Sequence, residues 1–257
     1  MKTVWLRNLE VGTGTPKVLV PIVGRTRADI LAQAGRLGEL PLDAAEWRAD
    51  FYEHVSDTSQ VSQTLSALRA ALGDIPLLFT FRTRREGGER DISPEEYRAL
   101  NLAAIRSGEA DAVDVEIFSG EDTVRPIIAA AHAAGRAVVG SSHDHSGTPP
   151  REELIARLRR AQDLGADLPK LAVTPRSPAD VLTLLSATEE MARRWADRPI
   201  ITMSMAADGV VSRLCGEIFG SAMTFGAAGQ TSAPGQLPVE ELRLVLDILH
   251  RSRPASG

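Results

Sequence analysis

The stretch Gly165-Ala166-Asp167-Leu168-Pro169-Lys170-Leu171-Ala172-Val173-Thr174-Pro175 decides the fold. Its apolar run is short and closed by a proline, which predicts a buried strand over 168–173. Before it, residues 150–164 have helical spacing that stops at Gly165. After it, Ser177-Pro178-Ala179-Asp180 opens another helix, with proline at the first helical position. The unit is therefore helix, strand, helix, and the rest of the chain repeats it.

Working outward, strands are predicted at 18–24, 45–51, 76–83, 112–117, 136–142, 199–205 and 221–225. Helices are predicted at 26–38, 58–72, from Ser93-Pro94 onward, and at 121–134 and 238–250. Residues 3–15 predict a small hairpin, with Gly12 and Gly14 marking turns. Strands alternating with helices imply βαβ units and a parallel sheet. Eight such strands in 257 residues fit a single (β/α)8 TIM barrel, preceded by the hairpin within 1–15 and followed by a flexible tail after about residue 250. A doubly wound open sheet is the competing architecture, but its glycine-rich phosphate turn after the first strand is missing.

Composition narrows the function classes. The chain is 43% hydrophobic and 25% charged, an ordinary globular balance. Its net charge of −5, with no basic block, argues against nucleic acid and anionic membrane partners. The one cysteine, Cys215, rules out an internal disulfide framework and suits a reducing compartment. Charges interrupt the N-terminal residues where a signal peptide needs apolar ones, and no apolar run reaches the roughly 20 residues of a membrane span. A cytoplasmic location is expected.

Lys170 is the odd residue in its strand. An amine among Leu168, Leu171 and Val173 is costly to charge, so its pKa should fall. A neutral amine is a nucleophile toward ketones and aldehydes and gives a Schiff base. Alternatively, the lysine snorkels to water from a strand end. In a barrel, active sites lie at the C-terminal strand ends. Polar residues gather there: Glu46 and Arg48, two apart and so on one side of their strand; Arg82 with Glu86; Asp114 and Glu116; Ser141-Ser142-His143-Asp144; and Met203-Ser204-Met205 with Arg213 beyond. Imine chemistry needs proton transfer, which His143 could supply with Glu86 fixing its tautomer. Arg48, Arg82 and Arg213 suit an anionic substrate. Glu46, Ser232 and Gln236 suit hydroxyls. A small polyhydroxylated keto acid is implied. No metal set is evident, because His132, His143 and His145 lack companions.

These motifs carry a resemblance. Glu46-Trp47-Arg48-Ala49-Asp50, Phe79-Thr80-Phe81-Arg82-Thr83 with Glu86-Gly87-Gly88, Ser142-His143-Asp144, Pro169-Lys170-Leu171-Ala172-Val173, Met203-Ser204-Met205, Ser212-Arg213, Thr224-Phe225-Gly226 and Ser232-Ala233-Pro234-Gly235-Gln236 resemble type I 3-dehydroquinate dehydratase. The likeness runs from Met1 to about residue 245. It implies a (β/α)8 barrel, a homodimer, no cofactor, and syn dehydration of 3-dehydroquinate to 3-dehydroshikimate in the shikimate pathway of aromatic amino acid biosynthesis. Under that resemblance Lys170 matches the Schiff-base lysine, His143 the general acid/base, and Glu86 the acid paired with it. Glu46, Arg48, Arg82, Arg213, Ser232 and Gln236 match substrate-binding positions, with Arg213 the carboxylate partner, and Met203, Met205 and Phe225 match an apolar wall. His145, where relatives usually carry Phe, and Pro21, where some carry Ser, depart from the pattern. A class I aldolase, marked by a phosphate cradle, and a non-catalytic binder of quinate-like ligands remain as rival readings.

Overall fold

An antiparallel hairpin comes first, β1 (Val4–Leu6) and β2 (Leu9–Val11), paired Val4 to Val11 and Leu6 to Leu9. The computed structural model describes residues 2–229 and 231–253. The hairpin turns at Arg7-Asn8, with Arg7 at φ 56°. Gly12 and Gly14, expected to mark turns in this segment, lie beyond β2 in the link to the barrel, at φ 107° and 65°.

Eight parallel strands follow: β3 (Lys17–Ile22), β4 (Ala44–Arg48), β5 (Leu77–Thr80), β6 (Ala112–Glu116), β7 (Ala137–Asp144), β8 (Leu168–Val173), β9 (Ile201–Ser204) and β10 (Met223–Phe225). From β3 to β9 each pairs with the next in sequence, and β10 returns to lie beside β3. A doubly wound sheet would reverse its strand order part-way; this one does not. Between β9 and β10 the seam is thinner. One parallel bridge joins Ile200 to Ser221, and Ser221 Oγ accepts the Thr202 N–H at 3.0 Å.

Helices cover the outside: α1 (Arg27–Leu37), α2 (Thr58–Leu72), α3 (Pro94–Ser107), α4 (Glu121–Ala133), α5 (Arg151–Asp163), α6 (Pro178–Glu190) and α9 (Val239–Ser252). Two short ones, α7 (Val210–Leu214) and α8 (Gly216–Phe219), fill the β9–β10 connection and were not read from the sequence. The start of α3 is the predicted one. Ser93 Oγ accepts the Glu96 N–H at 3.2 Å, Glu96 Oε2 accepts the Ser93 N–H at 3.1 Å, and Pro94 sits inside the first turn. α9 continues two residues past His250 to Ser252, so the segment expected to fray after about 250 is helical at its start; residues 254–257 lie outside the described ones.

Strand alternation sorts the core into two layers. Val18, Val20, Ile22, Trp47, Phe79, Val113 and Val115 face the helices. Leu19, Leu78, Val139, Leu168, Ile201 and Met223 fill the barrel, and Leu6 and Val11 of the hairpin pack under them as its floor. Lys170 shares the inner face with Leu168 and Ala172. Leu171 and Val173, its sequence neighbours, point outward against α5 and α6. β4 stops at Arg48 rather than 51, because Ala49–Phe51 curl into a 3-10 turn.

Candidate active site

The same alternation builds the site. In β4, Trp47 turns out to the helices, so Glu46 and Arg48 turn in. One cavity at the C-terminal strand ends is lined by Lys170, His143 and Glu86. Glu46, Arg48, Arg82, Arg213, Ser232 and Gln236 line it as well, and so do Met203, Met205 and Phe225. The structure thus brings every expected site residue together.

Lys170 is buried at the cavity base. Its Nζ lies 4.4 Å from the centre of the Phe225 ring and 3.8 Å from Asp114 Oδ2. Burial holds its proton affinity below the ordinary lysine value. Asp114 and Glu46 pull the other way, and Arg82 and Arg48 add to the fall. Burial, the cause expected from the sequence, is thus the largest influence, although Leu171 and Val173 themselves point away from the amine.

His143 and Glu86 form a pair. Glu86 Oε2 accepts both the His143 backbone N–H and Nδ1–H, each at 3.0 Å. Burial, reinforced by Glu116 and Asp114, pushes the Glu86 carboxyl up to about 8 against Arg82 and Arg85. Burial also pushes His143 well below its usual value, helped by Arg82 and Lys170. Both groups are therefore driven toward neutrality. With Nδ1 donating to Glu86, Nε2 is left as the basic nitrogen.

The three arginines differ. Arg48 is forked onto Asp50, Nε to Oδ1 and Nη2 to Oδ2, both at 2.8 Å. Arg82 reaches Asp114 at 2.8 Å, Glu116 at 3.0 Å and Ser141 Oγ at 2.9 Å. Burial lowers its affinity, but these carboxylates more than reverse the effect and raise it well above normal. Arg213 has no such support. Its Nη2 donates to the Pro234 carbonyl at 3.2 Å, its Nε has no hydrogen-bond partner, and burial alone brings it down to about 10. A buried cation facing no carboxylate among the described residues is suited to pair with an anion.

Over the cavity runs the 232–236 loop. Ser232 N–H donates to Gln236 Oε1 at 2.8 Å and Gln236 Nε2 to Ser232 Oγ at 3.0 Å, while Arg48 holds the Ser232 carbonyl at 3.3 Å. The described residues contain no cluster of His, Cys, Asp or Glu that could hold a metal ion.

A family model for type I 3-dehydroquinase matches residues 18–253. The chain belongs to the type I 3-dehydroquinase family. A 3-dehydroquinate dehydratase of Bacillus licheniformis is 51% identical over 251 residues, covering 98% of this chain and 99% of that one. Among solved structures, a type I 3-dehydroquinate dehydratase from Clostridium difficile, carrying covalently modified comenic acid, superposes with a TM-score of 0.96 at 50% identity. The match covers 98% of this chain and 99% of that one. A 3-dehydroquinate dehydratase of Geobacillus kaustophilus gives 0.95 at 41% identity, covering 98% of each chain.

Within this type I 3-dehydroquinase cavity, sequence reasoning left several contributors without a role. Asp50 is fully buried and also accepts the backbone N–H groups of Arg82 and Glu89. Asp114, Glu116 and Ser141 hold Arg82, and Thr80 Oγ donates to Glu46 Oε1 at 2.8 Å. Asp50 was quoted in a motif, and Asp114 and Glu116 stood out as acids two apart in an apolar strand; that was the available signal. Of the two departures, Pro21 is buried in β3 opposite Glu46 and does not line the cavity, whereas His145 does.

Proposed function

We propose that the chain dehydrates 3-dehydroquinate to 3-dehydroshikimate by syn elimination, through a Schiff base on Lys170. The observation that carries this reading is the company of the lysine: a buried amine of lowered proton affinity beside a His143–Glu86 pair, under an arginine with no carboxylate of its own.

The Lys170 nitrogen attacks the C3 ketone, and the carbonyl oxygen departs as water to leave a protonated imine. The imine acidifies the C2 proton by taking up its electron pair. His143 Nε2 removes that proton, the C1–O bond breaks, and the same proton leaves with the C1 hydroxyl as a second water. One base on one face makes the elimination syn. A water then adds to the imine carbon and frees the amine, so one water is lost overall. Arg213 binds the ring carboxylate, Glu46, Ser232 and Gln236 meet hydroxyls, and Met203, Met205 and Phe225 keep the reacting face dry. Arg48 and Arg82, already engaged by carboxylates, contribute mainly fixed positive charge and position, although both line the cavity.

The names of the relatives support the substrate, and through it a place in the shikimate pathway. The resemblance further implies a homodimer, which sedimentation of the purified chain tests. No helix is long and apolar enough to cross a membrane, and a cytoplasmic site of action fits the single cysteine. The deciding experiment traps the imine. Borohydride added with 3-dehydroquinate should add the reduced ligand's mass to the Lys170 peptide, and Lys170→Ala should neither gain mass nor turn over. An unmodified lysine peptide in the active protein would remove the Schiff base from the mechanism.

A further inference from the structure

The end of β7 and the residue just beyond it carry two imidazoles. His143 and His145 both line the cavity. Asp144 between them turns away to Arg157, 3.0 Å distant. Both histidines grip one residue. His143 meets the carboxylate of Glu86, and His145 Nε2 meets its backbone carbonyl oxygen at 3.0 Å. A peptide oxygen only accepts, so His145 carries a proton on Nε2. Its ring covers Gly87, where an added Cβ would overlap the imidazole and where φ is 84°.

The turn that presents Glu86, Arg84–Glu86, is closed by Glu86 N–H to the Thr83 carbonyl at 3.0 Å and Gly87 N–H to that of Arg84 at 3.1 Å, and Glu116 holds Thr83 at its start. Its carboxyl accepts the His143 N–H of β7 at 3.0 Å, and the His145 bond is the one that reaches the turn's own backbone from beyond that strand. The Glu86 carboxylate also has competing partners in reach, with Arg82 at 3.6 Å and Arg85 at 4.0 Å.

We propose that His145 is a positioning residue: it latches the Arg84–Glu86 turn to β7 through the Glu86 carbonyl and so keeps the Glu86 carboxylate on His143 Nδ1. The chemical consequence rests on the dehydration proposed above, in which His145 itself takes no step. Without the latch, Glu86 slides toward the arginines, and His143 loses the partner that keeps its basic nitrogen toward the substrate.

Two variants separate the contributions. His145→Phe keeps a ring over Gly87 and removes the donor, whereas His145→Gln keeps a donor. Both are read by steady-state kinetics with 3-dehydroquinate and by the 15N signals of the His143 imidazole. In His145→Phe, kcat should fall by about fivefold, the order set by one hydrogen bond, with KM unchanged. The His143 ring should no longer show a single Nδ1–H tautomer. His145→Gln should restore both. An unchanged kcat and tautomer in His145→Phe would overturn the proposal, as would a rise in KM at constant kcat, which marks direct substrate contact. Absence of turnover in the unmodified protein would sink the dehydratase reading instead, and the His143 signals would still decide the latch.

Discussion

Arg82 and Arg213 look alike in the sequence and should fail in opposite ways. Removing Arg82 takes the nearest counter-charge from Asp114 and Glu116, both fully buried, and leaves them, among the described residues, only Lys170 at 3.8 Å and Arg85 at 3.7 Å. Arg82→Ala should therefore lose about 3–5 kcal/mol of stability, measured by chemical denaturation. Arg213→Ala strands no acid. It should fold normally and lose a charge-assisted contact to substrate, raising KM by about tenfold to a hundredfold with a smaller effect on kcat. A stable Arg82→Ala protein, or an unchanged KM in Arg213→Ala, would refute the distinction. Glu86 adds a pH signature. Its carboxyl is raised to about 8 in the fold, above its unfolded value, so the folded state holds the extra proton. Its contribution is full below the unfolded pKa and is lost as pH rises through about 8. His143, depressed by burial, acts in the other sense, its contribution fading on acidification below the unfolded histidine value of about 6.5. Lys170, also depressed by burial, acts in the same sense as His143, so the Glu86 effect is read against a variant that lacks it. Between about pH 6.5 and 8 the Tm of the unmodified protein should fall relative to that of Glu86→Gln. The sequence made these residues candidates by type and by place at strand ends. It could not show which arginines were already engaged, because their partners come from neighbouring strands or from a turn two residues on.

At the scale of elements, the 232–236 loop hangs from the site's own arginines, Arg48 on the Ser232 carbonyl and Arg213 on that of Pro234. The Pro234 carbonyl also accepts the Ala206 N–H at 3.3 Å. Gly235 makes this approach possible: its φ is 77°, and a Cβ would run into the Ala206 carbonyl. Gly235→Ala should lift the loop off the cavity at a cost of about 1–2 kcal/mol of backbone strain. KM should rise while Tm falls by no more than about 2–8 °C, because the loop covers the site and not the core; unchanged kinetics would show that the loop's seat is irrelevant to binding. The sequence marked this stretch as a long loop by its Ser, Pro and Gly content, yet nothing local says that its carbonyls meet two arginines. The same limit moved other boundaries. Ala45–Phe51 reads as one strand by composition, but Asp50 is drawn out of it by Arg48 and by the Arg82 and Glu89 amides, and the chain curls at Ala49. The α3 start was legible because a capping box is local.

Across the whole molecule, chemistry and structural support sit at opposite ends of the barrel. Parallel strands in order were readable from eight alternations of strand and helix, and closure followed from the count. The floor was not readable, because a hairpin of three-residue strands carries no sign of what it packs against. It packs under the N-terminal strand ends, where Leu6 and Val11 meet Leu19, Leu78, Val139 and Leu168. Arg7 there bonds Asp111 at 3.3 Å, and Arg69 meets the same carboxylate at 2.9 Å. Active sites in this architecture occupy the other end, so the two jobs should separate under mutation. Leu6 is 2% exposed. Leu6→Ala should cost about 2–5 kcal/mol through the cavity it leaves, visible as a lower denaturant midpoint at unchanged m-value. At 25 °C the folded protein should keep its kcat and KM, since the lysine, the histidine pair and Arg213 are positioned by the far ends of β7 and β8 and by α7. A fall in kcat that tracks the lost stability would mean that the floor sets the register of those strands, and that the barrel transmits strain along its length.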